Sequence, residues 1–324
     1  MNTAGVWRFI GDSLCNGTPV MLMMVVESRG SSPGRAGFKM AVTADGRRDG
    51  TIGGGIMEMN WVEHSRTVLR EQRTAPLVQE LYHSRETKHM PSGLICSGSQ
   101  TLLLKPLYSS DATVVQQINR LFERHESARL HIAPRVFALS ETTDGNDVSF
   151  TFASSEEWVY EENIGVLDTL VIAGSGHVGL ALSRLAATLD FRVLVIDDRP
   201  DAPTFVANTF AHQKIHTSYE RVGEYLRGNG RDYVAIVTTG YKSDEAVLKS
   251  ILKKNVKYIG LMGSPAKTQQ IFDDLRNEGF REEELERIRT PIGMPIASHT
   301  PAEIAVSIAA EIIQLKNQSS DNEH

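Results

Sequence analysis

Apolar residues in the first half of this chain fall into short runs separated by glycine-rich and charged stretches, and only the second half settles into a regular alternation. Residues 5–15 predict a short helix. Pro19-Val20-Met21-Leu22-Met23-Met24-Val25-Val26 predicts a strand buried on both faces, because the run is short and continuously apolar. Further strands are expected over 38–43, 77–82, 100–104, 131–139 and 148–152. Helices are expected over 111–125 and over 56–73, the latter with Ile56, Met59, Val62 and Leu69 near one face. Residues 141–147 are expected to form a turn or loop. Together these elements predict a mixed α/β N-terminal domain, residues 1–160, whose strand order the sequence leaves open. Glu161-Glu162-Asn163-Ile164-Gly165 is the expected junction.

From residue 166 strands and helices alternate. Strands are predicted over 169–173, 192–196, 232–238 and 257–262, with a helix over 243–254. A helix over 177–189 carries Val178, Leu182, Leu185 and Leu189 on one face. This order predicts a parallel sheet with helices on both faces, in a C-terminal domain of residues 166–317. Thr300-Pro301-Ala302-Glu303 marks the start of the last helix. It combines an N-cap, a proline at the first helical position and a glutamate placed to close a capping box. Ile304, Ile308, Ile312 and Leu315 make the buried stripe of that helix, and the polar tail 318–324 is expected to be disordered.

Composition narrows the function classes. The chain has 324 residues, enough for two domains that each bury a core. A net charge of −6 argues against a nucleic-acid partner, which needs a basic face. The most apolar run, 20–26, is far shorter than the roughly 20 residues of a membrane helix, so no membrane partner is expected. The first ten residues lack a secretory pattern, which predicts a cytoplasmic protein with free thiols. There are two cysteines, Cys15 and Cys96, and no paired-cysteine motif that would suggest a zinc site.

Chemistry concentrates in three glycine-rich places. Gly174-Ser175-Gly176-His177-Val178-Gly179 follows the apolar strand Leu170-Val171-Ile172-Ala173 and opens a helix, the context that a dinucleotide loop requires. Gly174 suits the tight turn, Gly176 lets a pyrophosphate approach the backbone, and Gly179 lets the helix pack on the strand. The helix start offers free N–H groups and partial positive charge. His177, inside this loop, is placed to contact ligand or backbone. About 20 residues on, Asp197-Asp198 ends a second strand, where the Asp197 carboxylate can accept from ribose hydroxyls. The C-terminal domain is therefore of the Rossmann type. Lys267, after Gly263-Ser264-Pro265, either reaches a ligand or lies on a solvated helix surface.

Residues 30–55 hold eight glycines, where average usage gives roughly two. One loop carries Arg29, Ser31, Ser32 and Arg35. The other, Thr51-Ile52-Gly53-Gly54-Gly55, leads into Glu58. Loops of this kind expose amides and hydroxyls that suit an oxyanion, and the alternative is a pair of tight turns with solvated arginines. Cys96, between Gly93 and Gly98, is either a reachable thiolate and soft-metal ligand or a small buried hydrophobe. Cys15, near a helix end, fits the buried hydrophobe.

These segments together resemble the XdhC/CoxI family, the xanthine dehydrogenase accessory factors, over nearly the whole chain. The similar motifs are Arg29-Gly30-Ser31-Ser32-Pro33, Gly50-Thr51-Ile52-Gly53-Gly54-Gly55 with Glu58, and Cys96-Ser97-Gly98, which matches a family Cys-Gly-Gly with serine in the middle. They continue with the Gly174–Gly179 loop, Asp197-Asp198-Arg199-Pro200, and Tyr258-Ile259-Gly260-Leu261-Met262-Gly263-Ser264. Pro291-Ile292-Gly293 and the Thr300-Pro301-Ala302-Glu303-Ile304-Ala305 ending complete the set. Two departures stand out. Thr238-Thr239-Gly240-Tyr241 replaces a family Thr-Arg-Gly-His, and Ala297-Ser298 replaces a late Gly-Ala.

The resemblance implies a protein that binds molybdenum cofactor (molybdopterin) and protects it while a cysteine desulfurase supplies its terminal sulfur. Transfer to a xanthine dehydrogenase-type molybdenum hydroxylase follows. It also implies a cofactor site drawing on Gly53, Gly54, Gly55 and the 174–179 loop, with Cys96 near the metal. Two other functions use the same loop: an NAD(H)-dependent oxidoreductase and a nucleotide-sensing regulator. No placed acid or base favours the first, and no DNA-binding helix pair favours the second. A homodimer is the expected assembly on general grounds.

Overall fold

In the computed structural model, residues 3–30, 32–82, 98–141 and 147–321 are described, and the chain divides into two units, Met1–Val166 and Leu167–His324.

The first unit opens with helix α1 (Thr3–Cys15), followed by β1 (Val20–Arg29), β2 (Lys39–Thr43), β3 (Arg48–Gly50) and α2 (Gly55–Arg70). Strands β4 (Leu77–Tyr82) and β5 (Ser99–Leu107), helix α3 (Ala112–Arg124) and strands β6 (Ser127–Ala133), β7 (Val136–Ser140), β8 (Val148–Ser154) and β9 (Glu157–Gly165) complete it. The strands form two antiparallel sheets, ordered β3-β2-β1-β5-β4 and β7-β6-β9-β8.

Strand β1 is central and covered on both faces, which explains its unbroken apolar run. Val20, Leu22, Met24 and Val26 pack with Val6 and Ile10 of α1, Ile118 of α3 and Tyr160 of β9. The alternate residues Met21, Met23 and Val25 pack with Met57 and Trp61 of α2. One ion pair joins the two sheets through this core. Lys39, 1% exposed, places Nζ 2.5 Å from Glu162 Oε1 and donates to the Gly37 carbonyl at 2.8 Å, while the Tyr160 hydroxyl donates to Glu162 Oε2 at 3.1 Å. A buried charge is tolerated only with such partners.

Several expectations are corrected here. The single strand over 131–139 is a hairpin, β6 and β7, because Pro134-Arg135 turns the chain and pairs Ala133 with Val136. Residues 161–165 belong to β9, whose inward Trp158, Tyr160 and Glu162 show the period of two that the acidic pair Glu161-Glu162 disguises. On α2 the buried face is Met57, Trp61, Val62, Ser65, Val68 and Leu69, so Val62 and Leu69 face the core as expected, whereas Ile56 and Met59 are exposed. Cys15 is exposed, one step around α1 from the buried Leu14.

The second unit largely alternates strands and helices. Its elements are β10 (Thr169–Ala173), α4 (His177–Ala186), β11 (Arg192–Asp197), a single-turn α5 (Pro203–Val206), β12 (Gln213–His216), β13 (Asp232–Ile236) and α6 (Tyr241–Ile251). Then come β14 (Tyr258–Leu261), α7 (Pro265–Asn277), a single-turn α8 (Glu282–Leu285), β15 (Ile288–Arg289) and α9 (Pro301–Asp321). All six strands are parallel, in the order β12-β11-β10-β13-β14-β15. This is the order of the doubly wound nucleotide-binding fold, in which connections reverse direction between the first and fourth strands.

Strand β10 shows the same two-faced burial as β1. Leu170 and Ile172 face a core with Leu182 of α4 and Ile308 of α9, and Val171 and Ala173 face one with Val247 of α6 and Ile271 of α7. The start of α9 is capped as expected. The Thr300 N–H donates to Glu303 Oε2 at 3.0 Å and the Glu303 N–H to Thr300 Oγ1 at 3.3 Å. The helix continues to Asp321, beyond residue 317, since no glycine or proline interrupts it. Strands β12 and β15 were not expected, being only four and two residues long. Among the described residues no helix is long and apolar enough to cross a membrane.

Candidate functional site

The loop after β10 uses its three glycines for three different reasons. Gly174 has φ +107°, and a Cβ there would lie 2.6 Å from the Val237 carbonyl oxygen. A Cβ on Gly179 would lie 2.2 Å from the Gly174 carbonyl oxygen, so glycine lets α4 close on the loop. Gly176, the N-cap, has ordinary backbone angles (φ −59°, ψ −173°), and nothing lies within 4 Å of its Cβ position. No side chain caps α4. Its first-turn amides thus lack a side-chain acceptor, and the partial positive charge of the helix end is uncompensated. His177, the first residue of α4, is exposed.

Asp197 is fully buried, and its oxygens are taken by the protein. Oδ2 accepts from the Ser175 N–H and Oγ, each at 2.7 Å, and from Arg199 Nη2 at 3.0 Å. Oδ1 accepts from the Arg199 N–H and Nε, each at 3.0 Å. A carboxylate has about four lone-pair positions, so five donors exhaust it. The ribose contact expected of Asp197 meets a carboxylate already engaged by the protein, a strut that fixes Ser175 under the loop. Burial opposes its charge, but the bonds from Arg199 and Ser175 prevail and hold the carboxyl far below the usual carboxylate range. The outward carboxylate is its neighbour Asp198, 47% exposed.

Thr238, whose backbone the Gly174 position abuts, also lines a cavity of about 440 Å³ at the carboxyl ends of β13, β14 and β15. Met262, Lys267, Ile292, Ser298 and Ser307 line it as well. Behind it Asp244 of α6 is fully buried. Its Oδ1 accepts from Thr238 Oγ1 at 2.5 Å and its Oδ2 meets the Lys267 ammonium. Burial pushes the Asp244 carboxyl up, and Lys267 and Thr238 pull it back. Lys267 lies in the first turn of α7, its side chain one-quarter exposed, so it is neither a solvated surface lysine nor an unpaired cation. A second cavity, about 370 Å³, adjoins Val256, Lys257 and Arg287 at the amino ends of β14 and β15, where ligands of open α/β sheets do not bind.

The departure at 297–298 has a structural correlate. Ala297 has φ +54°, a region where glycine is at ease and alanine costs about 1 kcal/mol. Ala297→Gly is expected to raise the stability of the second unit by up to about 1 kcal/mol in urea denaturation. An unchanged or lower midpoint would show that chain entropy outweighs the relieved strain.

In the first unit the two glycine loops pack on each other. A Cβ on Gly34 would lie 2.4 Å from the Ile52 carbonyl oxygen, and one on Gly53 (φ +129°) 2.9 Å from the Gly34 nitrogen. Gln100, 1% exposed, clasps both loops. Its Oε1 accepts from Ser32 Oγ at 2.9 Å and the Gly34 N–H at 3.2 Å, and its Nε2 donates to the Ile52 carbonyl at 3.3 Å. The oxyanion facing Gly53-Gly54 is the protein's own. Glu58 Oε2 accepts from Thr51 Oγ1 at 2.6 Å, the Ile52 N–H at 2.9 Å and the Gly54 N–H at 3.0 Å, while the Gly53 N–H donates to Thr51 Oγ1 at 3.1 Å. Gly55 is the first residue of α2. Arg29 is exposed beside Glu27, and Arg35 is exposed.

Ser31 and Cys96 lie outside the described residues, as does most of the 141–147 loop. Among the described residues no group of three His, Cys, Asp or Glu side chains could hold a metal. Gln100 and Asp244 were not among the expected site residues. Each carries the same faint signal, a polar residue on a face that is otherwise buried.

A family model described as the XdhC Rossmann domain matches residues 170–312, and one described as the XdhC and CoxI family matches residues 14–81. The chain is 27% identical over 307 residues to the uncharacterized protein YqeB of Escherichia coli (strain K12), covering 93% of this chain but only 44% of that protein's length. It is 24% identical to a probable xanthine dehydrogenase subunit of Bacillus subtilis (strain 168), over 92% of this chain and 93% of that one. It is 22% identical to the molybdenum cofactor insertion chaperone PaoD of Escherichia coli (strain K12), over 98% and 90% of the two. A crystal structure described as a xanthine dehydrogenase from Bacillus halodurans superposes with a TM-score of 0.74 at 22% identity, covering 96% of each chain, which shows the shared fold.

Proposed function

Because the chain belongs to the XdhC and CoxI family, we propose that it is an accessory protein that binds molybdenum cofactor and delivers it to a xanthine dehydrogenase-type molybdenum hydroxylase. The observation that carries this is the uncapped start of α4 at Gly176, next in sequence to the strut-held Ser175 and in the same unit as a cavity of about 440 Å³. That volume falls in the range of ligand pockets, roughly 300–1,000 Å³. The residues fit an anionic pterin phosphate. The amides of Gly176, His177 and Val178 would hold the phosphate, since a helix start with no carboxylate cap favours an anion. Gly174 and Gly179 set the loop's shape, and Asp197 keeps Ser175 in place. When bound, the group supplies metal–dithiolene redox chemistry to the client enzyme, and this chain's part is to bind, shield and release it. Cys96 is proposed to lie near the metal, a cysteine desulfurase to be the sulfur source, the location to be cytoplasmic and the assembly to be a homodimer. The names of two relatives support the cofactor and the client class.

A second reading rests on the exposed carboxylate of Asp198 at the end of β11, where a dinucleotide ribose binds in this fold, and makes the chain an NAD(H)-dependent oxidoreductase. One experiment separates the two. The chain is purified from a molybdenum-replete host and assayed for molybdenum and released pterin. Co-purifying pterin is expected, with lower retention in Cys96→Ala. Equal retention by that variant removes Cys96 from the site. Bound NAD(H) with no pterin overturns the first reading.

A further inference from the structure

The cavity at the carboxyl ends of β13–β15 is electrically balanced, and this decides what it can hold. Its one cation, Lys267, rests on the fully buried carboxylate of Asp244, so the pair carries no net charge. A phosphate placed here would meet Lys267 with Asp244 directly behind it, whereas the uncapped start of α4 offers an uncompensated positive end. The anion therefore belongs at α4. Hydrogen bonding, not charge, remains for the cavity. Lys267 has three N–H donors and Asp244 engages it through one carboxylate oxygen, which leaves donors for another acceptor. Ser307 spends its proton on the Ile304 carbonyl at 3.0 Å, so its oxygen can only accept. Thr238 spends its proton on Asp244. Ser298 adds a hydroxyl, and Met262 and Ile292 supply apolar wall. A lining that combines an ammonium donor, a hydroxyl oxygen that can only accept and apolar side chains suits a flat ring bearing both a carbonyl and an N–H.

We propose that this cavity binds the amide-bearing heterocycle of the ligand whose phosphate sits at α4, with Lys267 donating to the amide carbonyl and Asp244 acting as the positioning residue for Lys267. The assignment rests on the cofactor reading above only for the identity of the ring. Without Asp244 nothing among the described residues would hold the ammonium folded against the cavity; without Lys267 a buried carboxylate would be left bare. Pterin and nicotinamide both carry such an amide, and they are told apart by direct binding.

Fluorescence titration of the full chain with 6-hydroxymethylpterin, which has the ring and no phosphate, tests this, with nicotinamide mononucleotide titrated in parallel. One of the two is expected to bind, and Lys267→Met to weaken it roughly tenfold or more, as losing a charged hydrogen bond does. Asp244→Asn is expected to weaken it as well, with recovery in Asp244→Glu, a rescue that a purely structural role would not show. Because Lys267→Met strands Asp244, Ser298→Leu provides a second test: it fills the cavity, leaves the ion pair alone and should also weaken binding roughly tenfold. Binding of either ring that is unchanged in both Lys267→Met and Ser298→Leu overturns the inference. So does binding of neither ring by a chain that still co-purifies with pterin, an outcome that leaves the cofactor reading intact. Lys267-dependent binding of nicotinamide mononucleotide alone supports the cavity assignment and counts against the cofactor reading.

Discussion

Gly176→Leu is expected to fold as the unaltered chain does and to lose cofactor, while Gly174→Ala and Gly179→Ala are expected to unfold the second unit more readily and lose cofactor as a consequence. The three glycines sit within six residues, yet the space around them differs. At Gly176 the backbone is in a region open to any residue and a Cβ meets nothing. A leucine there should cost about 1 kcal/mol, the loss of a favoured N-cap residue. Its side chain would occupy the volume over the α4 amides, where the proposed phosphate would sit. At Gly174 a Cβ meets the Val237 carbonyl at 2.6 Å in a left-handed conformation, and at Gly179 it meets the Gly174 carbonyl at 2.2 Å. Both obstacles are backbone, which cannot rotate aside. Strain and overpacking together put each alanine variant about 2–5 kcal/mol below the parent. Urea midpoints and co-purifying pterin, measured on the same preparations, check both halves. A Gly176→Leu chain that retains full cofactor would remove α4 from the site.

Asp197→Ala should cost about 3 kcal/mol at pH 7, and the cost should shrink in acid. The substitution leaves the buried Ser175 N–H and hydroxyl, and the part-buried Arg199 N–H, without their acceptor. The pH dependence follows from the sign of the shift. The folded protein holds this carboxyl below its unfolded value, near 3.9, so its contribution is complete above that pH. It drains away as the pH falls from the unfolded value toward the folded one. The difference in urea midpoint between parent and variant should thus stay constant from neutral pH down to about 5 and narrow below about 4. A difference that does not change with pH would mean that the strut acts by shape and not by charge.

The sequence displayed the second unit more fully than the first, for a physical reason. In the βαβ layer β10 pairs with the next strand, β11, so Leu170-Val171-Ile172-Ala173, the glycine loop and the following helix declare one another locally. In the first unit β1 pairs with β5 across a long connection, and sheet order depends on partners far along the chain. The alternation of β9 was hidden because its inward Glu162 is a charge, balanced by Lys39 in a different sheet. At the site, the steric roles of Gly174 and Gly179 were legible because glycine's lack of a Cβ is itself the signal. The direction in which Asp197 points was not, since Asp197 and Asp198 are equivalent until Ser175 and Arg199 claim one of them. Nor was the pairing of Asp244 with Lys267, which join different helices.

Glu58 has a bearing on how the first unit meets dissolved anions. Its carboxylate is tied to the triple-glycine bend by only a few residues of chain and already faces the Ile52 and Gly54 amides. A group tethered so closely competes at an effective concentration on the order of millimolar or more. Free inorganic phosphate therefore meets a receptor that is quenched from within. The bend serves first as the clamp that launches α2, and any guest there must evict a resident that never diffuses away.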